Sequence, residues 1–329
     1  MKKKYITLIR VLSMVSVVIG HLLSSSDISL IKSLGQFCYI GVMLFFYISG
    51  FLYGTKKLKE NFIHNRLIKI FLPELVFSII ILVLYLSVNH INQTSFIKYL
   101  FIYFLNIQYF FDYLSGIGHL WFISIIMVCY LFTFILEDKN NKSLIFIICM
   151  LFIASIVLLL INQKISQFIM YLVTYTIGYF HGKNEFKKKK ENNRIIINCL
   201  LFVFSISIRM ILRNYFDNTA FYNIFIVSIS NFICGIAIFN TLKNTVKNTS
   251  EPSYIMSFLD NYCYYIYLVH YIFVIGPFSL ISTTDNYVLN CLIIGAISMI
   301  LACIYKNIYE KTICIIKRWK EKKNGQYDG

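Results

Sequence analysis

Apolar blocks of roughly 17 to 22 residues recur along the chain, parted by short polar stretches in which the lysines collect. A helix of that length spans a hydrocarbon core of about 30 Å at about 1.5 Å per residue. Ten spans are predicted, at roughly 5–25, 35–55, 67–88, 119–137, 143–162, 166–182, 194–213, 221–240, 262–280 and 287–308. With 14 glycines and 3 prolines in 329 residues, little interrupts them. The predicted fold is all-α: a polytopic membrane helix bundle of about ten helices, one integral membrane domain over residues 1–329. A basic tail at about 309–329 closes it.

Composition agrees. At 58% hydrophobic and 14% charged residues, with a mean hydropathy of +0.68, too few polar side chains remain to cover a soluble protein of this length. The net charge of +16 invites a nucleic-acid reading. Its distribution argues against that partner, because the cations sit in clusters between apolar blocks, as topology signals do. With the N-terminus inside, the inner segments hold about 25 lysines and arginines, among them Lys56, Lys57, Lys59, Lys187–Lys190 and the tail from Lys306 to Lys323. The outer segments hold only Lys32, Lys98, Lys164 and Arg213. Both termini are therefore expected in the cytoplasm, with the bilayer of a bacterial cell membrane as the first partner. "MKKK" precedes an apolar run without a small-residue cleavage site, which reads as an uncleaved first helix. The nine cysteines lie mostly singly in apolar blocks with no CxxC spacing, so they read as small core residues and no metal is expected.

Residues 89–118 are too long and too aromatic for a simple outer turn. They suit an interfacial helix with an aromatic belt, or a re-entrant piece lining an outward cavity.

Ionisable residues inside spans mark functional sites by default, because burying them costs at least about 2.5 kcal/mol each. In "LIRVLSMVSVVIGHLL", Arg10 and His21 are eleven residues apart, about 20° beyond three full turns and about 16 Å along one helix face. Arg10 falls toward the inner side and His21 toward the outer. Snorkelling to the headgroups is the plain alternative for Arg10, and an interface hydrogen bond for His21. His119 opens the fourth span at the depth of His21. His270 lies mid-span in the ninth, where a satisfied core histidine is equally consistent. Arg209 and Arg213 form a second basic stripe; Arg66 and Lys69, before Pro73, suit either a topology signal or a phosphate clamp. A histidine at the outer end suits general-base work near neutral pH. No GxSxG elbow occurs and acidic residues are nearly absent from the spans, which disfavours a cation-coupled transporter.

These residues form a recognisable pattern. Arg10 and His21 resemble the R-x10-H motif of the membrane acyltransferase-3 family. "GVMLFFYISGFLYG" (Gly41–Gly54) is similar to that family's "GVDLFFVISGFL", with Met43 where many members carry Asp. "RLIKIFLP" (Arg66–Pro73), "HLWFI" (His119–Ile123) and "YYIYLVH" (Tyr264–His270) resemble three further signatures, in order along nearly the whole chain. The resemblance implies acyl transfer across the membrane, from acetyl-CoA or another acyl-CoA inside to a hydroxyl of a cell-envelope glycan outside. Larger relatives carry a C-terminal SGNH hydrolase-like domain, so this chain is expected to act alone or with a separate extracytoplasmic partner. The spacing of four between Lys69 and Pro73, and the absent Asp at Met43, resemble the branch that includes the biofilm polysaccharide O-succinyltransferases. On this reading Arg66, Lys69 and Arg10 bind the donor, His21 acts on the acceptor hydroxyl with His119, and Trp121, Ser49, Tyr267 and His270 line the pocket. The alternative is a transporter or flippase of a small envelope precursor or amino acid.

Overall fold

The structure, a computed structural model, describes residues 4–185, 195–216, 219–246 and 251–325. Lys2, Lys3, Lys187–Lys190, Arg194 and Lys247 of the inner charge clusters, and residues 326–329 of the tail, lie outside them. All secondary structure among the described residues is helical. The first apolar block is α1 (Lys4–Ser24). The second divides at Tyr39 into α2 (Ser29–Cys38) and α3 (Ile40–Gly54). The third is α4 (Phe62–Arg66), a π-helical turn (Leu67–Phe71) and α5 (Leu72–Ser87). There follow α6 (Gln93–Phe104), α7 (Trp121–Leu136), α8 (Asn141–Leu159), α9 (Gln163–Asn184) and α10 (Ile195–Phe216). A second π turn (Tyr222–Ile226) leads into α11 (Val227–Thr245), and α12 (Tyr254–Val269) and α13 (Tyr287–Gly325) complete the bundle.

Among the described residues, eight helical stretches, α2–α3 and α4–α5 each counted as one, are long and apolar enough to cross a membrane by length and composition. The other two predicted spans fall on α9 and α12. Both are wrapped by protein: α9 buries Tyr171, Thr174, Tyr175, Thr176 and Tyr179, and α12 buries Asp260, Cys263 and Tyr265–Val269. A helix covered by its neighbours needs no apolar outer surface, so both carry more polar atoms than a lipid-facing span. The ninth span also shifts. The side chain of Ser253 caps its start by accepting the Met256 N–H at 3.4 Å, and helix gives way to a 3-10 turn at His270–Phe273. Gly276, at φ +108°, then turns the chain. His270, expected mid-span, thus sits at a helix end. At the other terminus, α13 runs past the predicted boundary at 308 and carries the start of the basic tail as helix.

Each reading of 89–118 describes one half of it. The α6 helix presents Ile97, Phe101 and Phe104 outward, as an interfacial helix does. Beyond it the chain turns into the bundle and buries Gln108, Tyr109, Leu114 and Ile117. At 16 residues, α7 is about 24 Å long, short of the full core thickness. The inward segment fills the space above it.

Pro73 explains the π turn. It has no N–H for the carbonyl of Lys69 four residues back, so the helix widens and Leu72 N–H reaches back to Leu67 O. Carbonyls around the irregularity are taken by tyrosines from α12 and α13. Tyr309 donates to Ile68 O at 2.6 Å, Tyr305 to Pro73 O at 2.6 Å, and Tyr264 to Ile70 O. The segment that carries Arg66 and Lys69 is thereby tied to the bundle.

The tightest helix pair is α3 with α9, joined by two small-xxx-small motifs. A Cβ on Gly50 or Gly54 would lie 2.0 Å from Tyr175 O or 2.1 Å from Tyr179 O. Reciprocally, one on Gly178 or Gly182 would lie 2.1 Å from Tyr47 O or Phe51 O. Backbone meets backbone, and no side chain can yield. Gly178→Val should cost about 1–3 kcal/mol by overpacking, read as a lower melting temperature of the detergent-solubilised protein. Gly295→Val, where a Cβ meets nothing within 4 Å, should leave that temperature unchanged.

Candidate active site

α1 and α12 run parallel and meet at two rungs. At one, the Arg10 guanidinium pairs with the Asp260 carboxylate at 2.9 Å, and Cys263 Sγ donates to Arg10 O at 3.3 Å. At the other, the rings of His21 and His270 lie 5.4 Å apart, centroid to centroid. The sequence offsets, eleven residues on α1 and ten on α12, place both rungs about 16 Å apart. Arg10 does not snorkel to headgroups; a buried carboxylate holds it.

The Arg10 end opens into a cavity of about 770 Å³. Its wall carries Arg10, Arg66, Lys69 and the loop lysines Lys56, Lys57 and Lys59, with Ser49, Phe122 and Tyr267 deeper in. The Arg66 guanidinium lies 5.4 Å from the ring centroid of Tyr53 and 5.7 Å from those of Phe62 and Tyr130. That aromatic cage holds the cation by its π faces, and Arg66 Nε has no hydrogen-bond partner although it is buried. Donor capacity is therefore left for a ligand, which suits an anionic group.

The histidine end opens into a smaller recess of about 180 Å³, lined by His21, His119, Trp121, Tyr113, Tyr271 and Gly116. Gly116 has φ +82° and abuts the Tyr85 hydroxyl, so no side chain fits there. His21 touches Tyr271 at 4.5 Å and Tyr39 at 5.4 Å between centroids, and its Nδ1 is 3.4 Å from the Tyr39 hydroxyl. His119 and Tyr267 divide the two spaces: the first lines the smaller and the second the larger. They are doubly bonded to each other, His119 Nε2 to Tyr267 O at 2.8 Å and the Tyr267 hydroxyl to His119 O. The partition is one side-chain pair thick.

The structure thus gathers the sequence-predicted residues into two groups. Arg10, Arg66, Lys69, Ser49 and Tyr267 face the larger cavity; His21, His119 and Trp121 face the smaller, with His270 buried behind them. Arg209 and Arg213 are not brought in. Arg209 is buried between α10 and α11, donates to Asn231 Oδ1 at 2.9 Å and stacks on Phe37 at 4.4 Å. Two carboxylates were missed. Asp260 lies two residues before the predicted ninth span, where it reads as loop. Glu74 is fully buried, accepting from Ser78 Oγ at 3.1 Å and from Gln108 Nε2 at 3.4 Å. Gln108 also donates to Leu120 O at 3.2 Å, which ties α5 to the residue after His119. A lone Gln in an aromatic stretch gave no sign of this.

Asp260→Ala should destabilise the protein by about 2 kcal/mol, below the roughly 3–5 kcal/mol of a fully buried broken pair because the Arg10 side chain is 33% exposed. The double replacement Arg10→Met with Asp260→Met should recover part of that loss in thermal unfolding, because no uncompensated charge remains.

No curated protein and no solved structure matches the chain. A family model described as an acyltransferase domain matches residues 3–306, nearly the whole chain. The two cavities and the Arg10–His21 helix between them therefore belong to a multi-pass membrane protein of the acyltransferase-3 family.

Proposed function

We propose that this protein moves a short acyl group from an acyl-CoA, bound at its lysine-rich end, to a hydroxyl of a cell-envelope glycan bound at its histidine end. The observation that carries the reading is the pair of recesses meeting at the His119–Tyr267 partition, cationic on one side and histidine-lined on the other. Arg66, Lys69 and Arg10 would hold the donor's phosphates, since guanidinium and ammonium groups grip phosphate by charge-assisted hydrogen bonds. The extended pantetheine arm would then carry the thioester inward to the partition. His21 would take the proton of the acceptor hydroxyl. Trp121, Tyr113 and Tyr271 offer flat faces for a sugar ring, and the smaller recess has room for about one monosaccharide unit. The lysine-rich end would face the cytoplasm, where acyl-CoA is made, in agreement with the charge asymmetry. Acetyl-CoA is the first donor to test and succinyl-CoA the second; a separate extracytoplasmic transferase as final carrier is compatible with the same geometry.

Two variants test the two ends. His21→Ala, folded by gel filtration, should abolish acylation of the envelope glycan in cells that depend on this protein; retention of full acylation would overturn the assignment. Arg66→Ala should weaken CoA binding to the purified protein about tenfold, the loss of one charge-assisted hydrogen bond of about 1.5 kcal/mol. Failure to bind any acyl-CoA, together with substrate counterflow in vesicles, would replace the transferase reading with transport.

A further inference from the structure

The three histidines at the partition share an unusual hydrogen-bond arrangement. The carbonyl oxygen of Tyr267 lies 2.8 Å from His119 Nε2 and 2.8 Å from His270 Nδ1. A carbonyl only accepts, so both nitrogens carry hydrogen, and the opposite nitrogens are bare acceptors. Those are His119 Nδ1 and His270 Nε2, each buried and without a partner. On the third ring, the Tyr39 hydroxyl donates to Ser24 Oγ at 3.3 Å, which leaves its oxygen to accept from His21 Nδ1. The rings stand 4.9 Å (His119–His270), 5.4 Å (His21–His270) and 6.3 Å (His21–His119) apart. Three imidazoles with uncommitted lone pairs therefore crowd one small volume, with each N–H already committed to an oxygen. Among the described residues, no group of three His, Cys, Asp or Glu is arranged to hold a metal ion.

We propose that His21, His119 and His270 hold one proton in common, and that His270 is the buried positioning residue that receives it from His21 through its bare Nε2. The rings stand 4.9–6.3 Å apart with bare lone pairs on each, so the protonation of one is felt by the other two and a second proton is opposed by like charge. The titratable side chains against the three rings are Tyr39, Tyr113, Tyr267 and Tyr271. Further off, the Glu74 carboxyl accepts from Ser78 and Gln108 through Oε1, while its buried Oε2 has no partner. The role in catalysis rests on the acyl transfer proposed above. As the acceptor oxygen bonds the acyl carbon and the carbon–sulfur bond breaks, the hydroxyl proton passes to His21 and on to the cluster. CoA leaves as thiolate and takes a proton from solution, and the cluster releases the hydroxyl proton to water in the smaller recess, which returns the histidines to the form that accepts the next one.

The test is a pH titration of the full-length protein in nanodiscs, labelled with ¹⁵N-histidine, whose ring shifts report protonation and tautomer. Exposed His64 and His90 serve as internal references. The cluster should titrate in one shared step, with His119 and His270 keeping their hydrogens on Nε2 and Nδ1 before it. Three independent transitions would overturn the proposal. In His270→Asn the amide nitrogen replaces the Nδ1 donor to Tyr267 O but no Nε2 remains, so the midpoint of the remaining pair should fall by at least one pH unit. An unchanged midpoint would overturn the proposal, and if this variant does not fold the wild-type titration decides alone. The same variant should slow acyl transfer at least thirtyfold with CoA affinity unchanged. A wild-type protein that transfers no acyl group would overturn the reading of function while the titration still decides the shared proton.

Discussion

Everything at the centre of this bundle depends on the register between α1 and α12, and the Arg10–Asp260 ion pair sets it. Two parallel helices can slide by a turn, about 5.4 Å, with little change in apolar burial. The pair opposes that slip, because moving Arg10 away strands the buried Asp260 carboxylate in a low dielectric. With the pair made, helical periodicity alone brings His21 level with His270 three turns further on. The charge pair is thus a gauge block as well as a cavity wall.

The rest of the site is positioned by places where helix is interrupted. The π turn before Pro73 carries Arg66 and Lys69 into one cavity, and tyrosines of α12 and α13 clamp its carbonyls. The inward segment after α6 delivers His119 to the partition, held by Gln108 between Glu74 and Leu120. Then α12 stops at Val269, so that His270 stands at a helix end facing two other rings. Regular helix supplies the frame, and irregular backbone at depth occurs where protein covers it or a cavity lies beside it.

Much of this was legible in the sequence for a physical reason: burying a cation or an imidazole in an apolar run is costly enough to stand out. Arg10 and His21 announced themselves in that way, and their shared face followed from spacing. The two protein-wrapped helices α9 and α12 were expected as spans and are present as helices, but inward-facing polar groups dilute their apolarity and neither is among the eight long apolar helical stretches of the described residues. Asp260 escaped because it lies just outside the apolar run that marks its helix. Glu74 and Gln108 escaped because each is a lone polar residue and the hydrogen bond between them spans 34 residues. The part played by Tyr267 could not be read at all: its carbonyl oxygen organises two histidines, and a main-chain atom carries no side-chain signature. His119 was expected at the depth of His21, and the two rings lie 6.3 Å apart; its burial was not legible, because the inward fold of residues 105–120 depends on contacts with α5.

The thinness of the His119–Tyr267 partition has an electrical consequence. Recesses enter the bundle from both ends and stop at this one pair of side chains. Where water and ions can follow such recesses inward, a membrane voltage falls mainly across the low-dielectric barrier left between them. A unit charge crossing the full drop changes energy by about 2.3 kcal/mol per 100 mV. In a protein shaped this way the drop would fall at the partition, beside the imidazoles, and a proton moving there would feel part of it.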